Sequence, residues 1–333
     1  MISDSSIRQR AHAAQGGIAL IIVLWVITLL TVIAVSFAHT MRTEVNVVTN
    51  GVARLRAQVA ADAAVQRAMI EQFKPQTLDG RWAADGSARE WVYRDAKVTV
   101  MLLDEAGKID INTANELVLK GLMTSQGIIE EDALKLLDAI ADWKDADSLK
   151  RLRGAEQAEY DAAGLAYGPA NAPFQASEEL KLVLGVTPDI YARLAPHITV
   201  FSRQPGINEQ IASRDVLRAL PGLSDEVIDT YIAARDAARA NKQPIPTLPA
   251  NRFRSFSAGL VTRVRADAVT PEGVKFSREA VVRRNNDPKR AIAFLSWKEG
   301  RELPVIDPQN LATPGANDTS GNTLGRVVPA SGR

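Results

Sequence analysis

The chain has 333 residues, and its 40 Lys and Arg against 39 Asp and Glu give a formal net charge of only +1. This length allows two domains with a sizeable core, and so small a net charge excludes a bulk field that would attract nucleic acid or another charged partner. The absence of cysteine excludes disulfides and thiol nucleophiles, and it is compatible with a reducing compartment or with the periplasm.

The segment from Ile18 to Ala38 contains no charged residue. About 20 apolar residues in a helix are enough to cross a bilayer. Arg8 and Arg10 precede the segment with only Asp4 against them, so the positive-inside rule places the N-terminus in the cytoplasm. The sequence therefore predicts a single-pass membrane helix with the rest of the chain on the opposite side.

Three interpretations of this N-terminus compete. A secretory signal peptide cut near residues 36–38 is disfavoured, because the apolar run exceeds the usual ~7–15 residues of such a signal. A plain transmembrane anchor is the second interpretation. The third is a prepilin-type leader, residues 1–17, in which a short basic segment ends in glycine and a prepilin peptidase cuts between Gly17 and Ile18.

A helical pattern continues beyond the apolar segment. Pro75 ends the pattern, and Gly51 is the one interior residue that weakens a helix, by about 1 kcal/mol relative to Ala. The pattern predicts one helix over 18–74, whose front half inserts or bundles and whose back half packs on a globular head; the alternative is an anchor followed by a separate helix. Its apolar residues, at steps of three and four with one wider gap, are Val45, Val48, Val52, Leu55, Val59, Met69 and Phe73.

Alternating apolar and polar residues predict strands on both sides of a long strand-free region. Turn residues lie at Asp95, at 270–273 and at 285–288. These features predict an α+β fold: an antiparallel sheet, formed by 75–109 and 246–300, that is interrupted by a helical insertion. The tail 301–333, rich in Pro, Gly, Asn and Ser, is predicted to be disordered. The predicted strands are 91–103, 253–266, 274–282 and 291–297.

The insertion, 110–245, contains a weak repeat of short helical hairpins beginning near Asn112, Ala176 and Ala212. Each copy has a capping residue before a helix and a glycine after it, and Thr187 and Ser224 cap the following helices in the last two copies. The third copy resembles a helix-hairpin-helix motif, so the alternative function is a membrane-anchored DNA-binding protein. Its arginines are balanced by carboxylates, whereas a phosphate-binding face is one-sided, so nucleic acid is not the expected partner.

No catalytic constellation is present in the sequence. The three histidines, His12, His39 and His197, fall in the leader, at the membrane edge and at a helix end. There is neither a phosphate-binding glycine loop nor a Gly-x-Ser-x-Gly turn. The residues therefore give no active site to name.

An acidic cluster is the one candidate for metal chemistry. Three carboxylates within six residues repel one another if they converge, and a hard cation with oxygen ligands relieves that repulsion. The spacing is not that of an EF-hand. The alternative is a solvated loop with Lys144, Lys150, Arg151 and Arg153 as counter-charges. The candidate ligands are Asp142, Asp145, Asp147, Glu156, Glu159 and Asp161.

Taken together, these features resemble the minor pseudopilin K family of the bacterial type II secretion system (general secretion pathway protein K). Each motif is weak by itself, but the ordered set, which covers most of residues 15–265, is specific. Other pseudopilins usually carry Glu at the fifth position after the cut, and Ile22 stands there, a departure that the K subunits share. The matching motifs are 17–20, 110–114, 141–143, 154–156 with Tyr160, 171–174, and 179–180 leading to 185–186.

The resemblance implies a pilin-like fold with a large α-helical insertion, anchored in the inner membrane with its head in the periplasm. It implies a non-enzymatic protein that caps a pseudopilus tip with the minor pseudopilins I and J, contacts other pseudopilins, and is processed by prepilin peptidase. It also implies calcium in the helical domain, bound by members of the acidic cluster. The absence of Glu at position 22 suits a tip, where no subunit lies ahead to pair with it.

The Gly17–Ile18 junction can be tested by substitution. We expect Gly17→Ala to leave the precursor at full length, because the peptidase requires glycine before the cut. A wild-type chain should run faster on a gel than this variant when both are expressed with a prepilin peptidase. Equal mobility of the two chains would contradict the cut.

Overall fold

A computed structural model describes residues 8–75, 78, 80–249, 252–255, 260–285 and 287–300; for residues 8–18 and 288 it gives the backbone only. The predicted disordered tail, the first seven residues of the leader and residues 256–259 of a predicted strand lie outside this description. The helices are α1 Arg8–Phe73, α2 Glu116–Ser125, α3 Glu130–Lys144, α4 Gln157–Ala162, α5 Pro188–Leu194, α6 Arg214–Arg218 and α7 Asp225–Ala240. The strands are β1 Asp85–Tyr93, β2 Ala96–Asp104, β3 Ile109–Asp110, β4 Ile198–Thr199, β5 Val261–Val269, β6 Lys275–Arg284 and β7 Ile292–Glu299.

Helix α1 is continuous, as the periodicity predicts, and it ends at Phe73 just before Pro75. At 1.5 Å per residue its 66 residues span about 100 Å. It starts ten residues before the predicted Ile18, so the leader junction falls inside a helix rather than at a boundary. Within the described residues, the portion from Ala19 onward is the one helix that is long and apolar enough to cross a membrane, and none of its most apolar stretch is buried.

The head contains a five-stranded antiparallel sheet in the order β1-β2-β5-β6-β7. The predicted strand region around Asp95 is a hairpin, with Arg94 in the left-handed region at φ 56°. Strands β2 and β5 are hydrogen-bonded neighbours although the whole insertion separates them in sequence, and Asp104 is paired with Thr262. This arrangement confirms the predicted α+β fold, with a long N-terminal helix, an antiparallel sheet and further helices.

The predicted boundaries of the insertion are too narrow at both ends. Ile109 pairs with Ile198 in a small parallel sheet of β3 and β4, so it belongs to the insertion and not to the first part of the head. The predicted strand starting at Phe253 starts instead at Val261. Leu248 and Phe253 are buried in the core of the helical insertion, which explains why this segment does not join the sheet.

Helix α1 packs on the sheet through alanines, not through the predicted valine stripe. Ala57, Ala60, Ala61, Ala64 and Ala68 are completely buried against the inner faces of the strands. Such small side chains let the helix axis lie close to the sheet. The predicted stripe shares in this contact only through Met69, whereas its other members are exposed: Val45, Val48, Val52, Leu55, Val59 and Phe73.

The predicted caps of the hairpin repeat are confirmed, but the predicted end of the helix in its first copy is wrong. Thr187, Ser213 and Ser224 accept hydrogen bonds from the third amide of the helices that they cap. In the first copy the glycine expected after the helix is Gly121, but helix α2 continues through it to Ser125. A Cβ at Gly121 would lie 2.3 Å from the carbonyl oxygen of Ala219, so the glycine serves close packing of α2 against the α6 end. The second copy forms a 3-10 helix, Ser177–Leu182, instead of an α-helix.

A chain of ion pairs connects the sheet with the insertion. Arg263 on β5 donates to the fully buried Glu105 at 2.6 Å and also pairs with Glu279 on β6. Lys298 on β7 lies 3.3 Å from Glu279 and 2.8 Å from Glu178 in the insertion. The buried Glu105 depends on Arg263, because an unpaired carboxylate is costly away from water.

We expect Arg263→Leu to lower the free energy of unfolding of the detergent-solubilised chain by about 3–5 kcal/mol, because it removes the ion-pair partner of the buried Glu105. Arg54→Ala, which breaks the exposed pair with Glu299 (2.8 Å), is the matched control and should cost less than about 1 kcal/mol. Urea unfolding compares the two. Equal losses would show that the buried pair is not a special support of the fold.

The same ion pair gives an expected pH dependence. Burial would raise the pKa of Glu105, but the positive charges of Arg263 and Lys108 outweigh burial and lower it. A lowered carboxyl pKa stabilises the fold above the pKa of the unfolded chain, and this stabilisation is lost as the pH falls through the folded pKa. The free energy of unfolding of the wild type should therefore fall as the pH is lowered, and this fall should be smaller in Arg263→Leu.

Candidate functional site

The end of helix α3 and the loop after it bring the acidic residues together. Helix α3 ends at Lys144, and Asp145 adopts an extended conformation that turns the chain into the loop 145–155. The loop returns to Glu156, the N-cap of α4. One carboxylate oxygen from each of Asp145, Asp147 and Glu156 lies within 4.8 Å of the other two. The loop thus brings residues from the end of α3 and the start of α4 into one cluster.

Asp142 lies beneath this cluster and holds the loop. Its carboxylate is completely buried and accepts the amide of Arg151 at 3.2 Å. Gly154 closes over it, and a Cβ at that position would come within 1.9 Å of a carboxylate oxygen of Asp142. The loop can therefore pass over Asp142 only with glycine at this position.

The cluster is electrostatically strained. Burial raises the pKa of Glu156, and the charges of Asp142, Asp145 and Asp147 raise it further. Burial and the neighbouring Asp147 likewise raise the pKa of Asp145. Negative charges that face one another with little solvent are costly unless a counter-charge joins them.

Two buried oxygens of the cluster, Asp145 Oδ1 and Glu156 Oε1, have no hydrogen-bond partner among the described residues. Glu156 is only 8 % exposed, so water does not easily replace the missing partner. Carboxylate oxygens are the ligands that a hard divalent cation such as Ca²⁺ prefers. The donor set therefore fits such an ion.

The structure divides the six candidate ligands into two groups. Asp142, Asp145, Asp147 and Glu156 lie together, whereas the other two have partners elsewhere. Glu159 pairs with Lys150 at 2.6 Å and accepts the amide of Glu156 at 3.0 Å in a capping box. Asp161 accepts from Gln157 at 2.8 Å, one turn away on α4.

Most of the predicted counter-charges do not neutralise the cluster. Lys144 donates to the carbonyl oxygens of Ile111 and Asn112. Arg151 pairs with Glu116 at 2.8 Å and comes no nearer than 3.8 Å to Asp142. None of these side chains forms an ion pair with Asp145, Asp147 or Glu156 among the described residues, so the geometry gives the alternative of a solvated loop with its own counter-ions little support.

The hairpin of α6 and α7 does not present free cations either. Arg214 pairs with Asp229 at 2.6 Å, and Arg218 pairs with Asp225 at 2.9 Å. Arg235 donates to the carbonyl oxygen of Ala212 at 2.7 Å. A phosphate backbone would have to compete with these internal partners, so this geometry does not favour the DNA-binding alternative.

Comparisons with known proteins agree with the resemblance seen in the sequence. Residues 96–204 match the family model of "Type II secretion system (T2SS), protein K". Type II secretion system protein K of Aeromonas hydrophila is 27 % identical over 210 residues, covering 55 % of this chain and 63 % of the relative. The Klebsiella pneumoniae protein of the same name is 28 % identical over 205 residues, covering 55 % and 62 %. The matches thus span somewhat less than two thirds of these relatives.

A solved structure shares the fold. It is a chain of the GspK-GspI-GspJ complex from enterotoxigenic Escherichia coli, with a TM-score of 0.52 and 16 % identity, covering 79 % of this chain and 99 % of that one. The matched domain contains the strand β2, the α3 helix and the whole acidic loop. In its matched domain, in its relatives and in its fold, the chain is thus similar to type II secretion system protein K.

Proposed function

We propose that this chain is a minor pseudopilin that forms the tip of a type II secretion pseudopilus, primes its assembly and so supports protein export across the outer membrane. Prepilin peptidase cuts between Gly17 and Ile18, and the apolar helix then holds the protein in the inner membrane with its head in the periplasm. Neighbouring pseudopilins later draw the helix into a bundle. The protein acts as an assembly part and not as an enzyme.

The observation that supports this proposal most directly is the exposed surface of α1. Its side chains from Leu20 to Phe37 are exposed, as are Val45, Val48 and Leu55 further along, although the same helix is firmly packed on the sheet from Ala57 onward. A helix that remains apolar outside its own fold requires either lipid or other helices around it. A pseudopilin meets both in turn, first in the membrane and then in the filament.

A groove lies between the head and the exposed apolar residues of α1. Val52, Leu55 and Val59 on α1 and the hairpin residues Tyr93 and Arg94 line an open groove of about 400 Å³. An apolar helix of a neighbouring subunit fits such a groove. The related solved complex contains GspK together with GspI and GspJ. We therefore assign the minor pseudopilins I and J as the partners of this chain.

Co-purification tests this assignment. The full chain should co-purify with the I and J pseudopilins from detergent extracts, and Leu55→Asp should weaken recovery about tenfold, the equivalent of ~1.4 kcal/mol, because a charge would be buried in the helix contact. Val92→Asp, an equally exposed position on β1 away from the stripe, is the control and should leave recovery unchanged. Recovery of neither partner with the wild type would contradict the proposed function.

We also propose that Asp145, Asp147 and Glu156 bind calcium, with Asp142 supporting them from below. The two unpartnered buried oxygens and the raised carboxyl pKa values support this proposal. A bound calcium ion supplies positive charge and oxygen coordination, and no reaction step. The carboxylates would then fix the loop 145–155 to the end of α3.

Calcium should raise the melting temperature of the chain, since a ligand at 100 times its dissociation constant adds about 2.7 kcal/mol. Glu156→Gln should remove most of this shift, because it replaces a charged ligand by an amide. Asp161→Asn is the matched control and should retain the shift, because Asp161 lies outside the cluster. Thermal unfolding in EDTA and in calcium measures both. The absence of a shift in the wild type would contradict the calcium site.

A further inference from the structure

The loop 145–155 carries two leucines that point away from every core. Leu149 is 78 % exposed and Leu152 is 84 % exposed, the highest values among the large apolar side chains that the structure describes. Even the residues of the apolar part of α1 are less exposed. Single exposed leucines are ordinary on protein surfaces, but a pair on one short loop forms a protruding apolar knob.

The backbone of this loop is held from the inside. Asp147 accepts the amide of Leu149 at 2.8 Å, and Asp142 accepts that of Arg151 at 3.2 Å. Asp138 on α3 accepts the amide of Arg153 at 3.1 Å. These contacts order the loop while the two leucine side chains face outward. A preordered knob loses little conformational entropy when it is buried by a partner.

The charges next to the leucines are basic. Lys150 and Arg151 lie between them along the loop and keep somewhat less than half of their side-chain surface exposed, although Lys150 pairs with Glu159 and Arg151 with Glu116 and, at 3.8 Å, with Asp142. Within the described ranges, Arg153 has no carboxylate oxygen within 4 Å of its guanidinium. A complementary surface would therefore combine an apolar pocket for the leucines with acidic residues at its rim.

The position of the helical insertion argues against a lipid surface. The insertion leaves the sheet at Asp104 and returns at β5, and Thr262 lies with Met69 and Phe73 around a common pocket. That end of α1 lies about 35 residues beyond Ala38, or roughly 50 Å along the helix. A membrane that surrounds the apolar segment is thus far from the junction where the insertion joins the head. A protein is the occupant that this geometry favours.

We infer that Leu149 and Leu152 form a docking knob that inserts into an apolar, acid-rimmed pocket of a protein partner other than the I and J pseudopilins. The inference rests on the proposed function, because it assumes a tip whose helical insertion faces outward. Asp147 links the knob to the acidic cluster, since it both holds the amide of Leu149 and belongs to the proposed calcium site. Calcium at the cluster therefore favours docking by fixing the loop.

The first test uses a bacterium whose own protein K gene is deleted and which expresses the full chain. The double variant Leu149→Asp, Leu152→Asp should still co-purify with I and J, whereas secreted protein in the medium should fall about tenfold or more, as for loss of a central apolar anchor. Ile129→Asp is the matched control, because Ile129 is an exposed N-cap of the same domain where Asp is favourable. Cells that express this control should secrete protein normally.

Two results would overturn the inference. Normal secretion by the double variant would show that the knob has no partner that matters, and loss of I and J would assign the leucines to the tip complex itself. Failure of the wild type to co-purify with I and J is a different result, and it would contradict the proposed function instead. The three outcomes are therefore distinguishable in one set of strains.

The second test places the photo-crosslinker p-benzoylphenylalanine at position 152 or, as a control, at position 129 of the full chain in living cells. A protein adduct at 152 that is absent at 129 and falls about fivefold or more with Arg153→Glu is the expected result, since a reversed charge would repel the acidic rim. A lipid adduct, an adduct to I or J, or an adduct that is insensitive to Arg153→Glu would overturn the inference.

Discussion

The contact between the alanine face of α1 and the antiparallel sheet is the constraint on which the rest of the structure depends. Ala57, Ala60, Ala61 and Ala64 have no exposed surface, so the helix and the strands approach as closely as backbone and methyl groups allow. This contact fixes the rotation of α1 about its own axis. Once that rotation is fixed, the valines between Val45 and Val59 lie outside the contact with the sheet and remain exposed.

Much of the fold could be predicted from sequence because it is recorded in local patterns. The continuous helix ending before Pro75, the hairpin at Asp95 and the caps Thr187, Ser213 and Ser224 all follow from short-range periodicity or capping chemistry. The alanine face could not be predicted, because alanine is compatible with exposed and buried positions alike. Gly121 was misinterpreted for a related reason, since its role depends on Ala219, which is distant in sequence.

The acidic site, too, could be predicted from the sequence only in part. The sequence pattern identifies the region, because three carboxylates within six residues are unusual next to a helix end. The pattern cannot say which carboxylates converge, since that depends on how the loop returns to α4. Glu159 is only three residues from the cluster member Glu156 in sequence. Its oxygens are nevertheless occupied by Lys150 and by the capping box of α4. Gly154 was the available signal for the approach over Asp142, although its role becomes visible only in three dimensions.

The pairing of Asp104 with Thr262 has a consequence for how such a protein can arise. The helical insertion leaves and re-enters the sheet at two hydrogen-bonded neighbours, so its two ends are only one strand spacing apart, about 5 Å. A short turn could join the same two strands without altering any other part of the sheet or its contact with α1. The sheet and its contact with α1 are therefore complete without the helical insertion, whose size and surface can change without disturbing them.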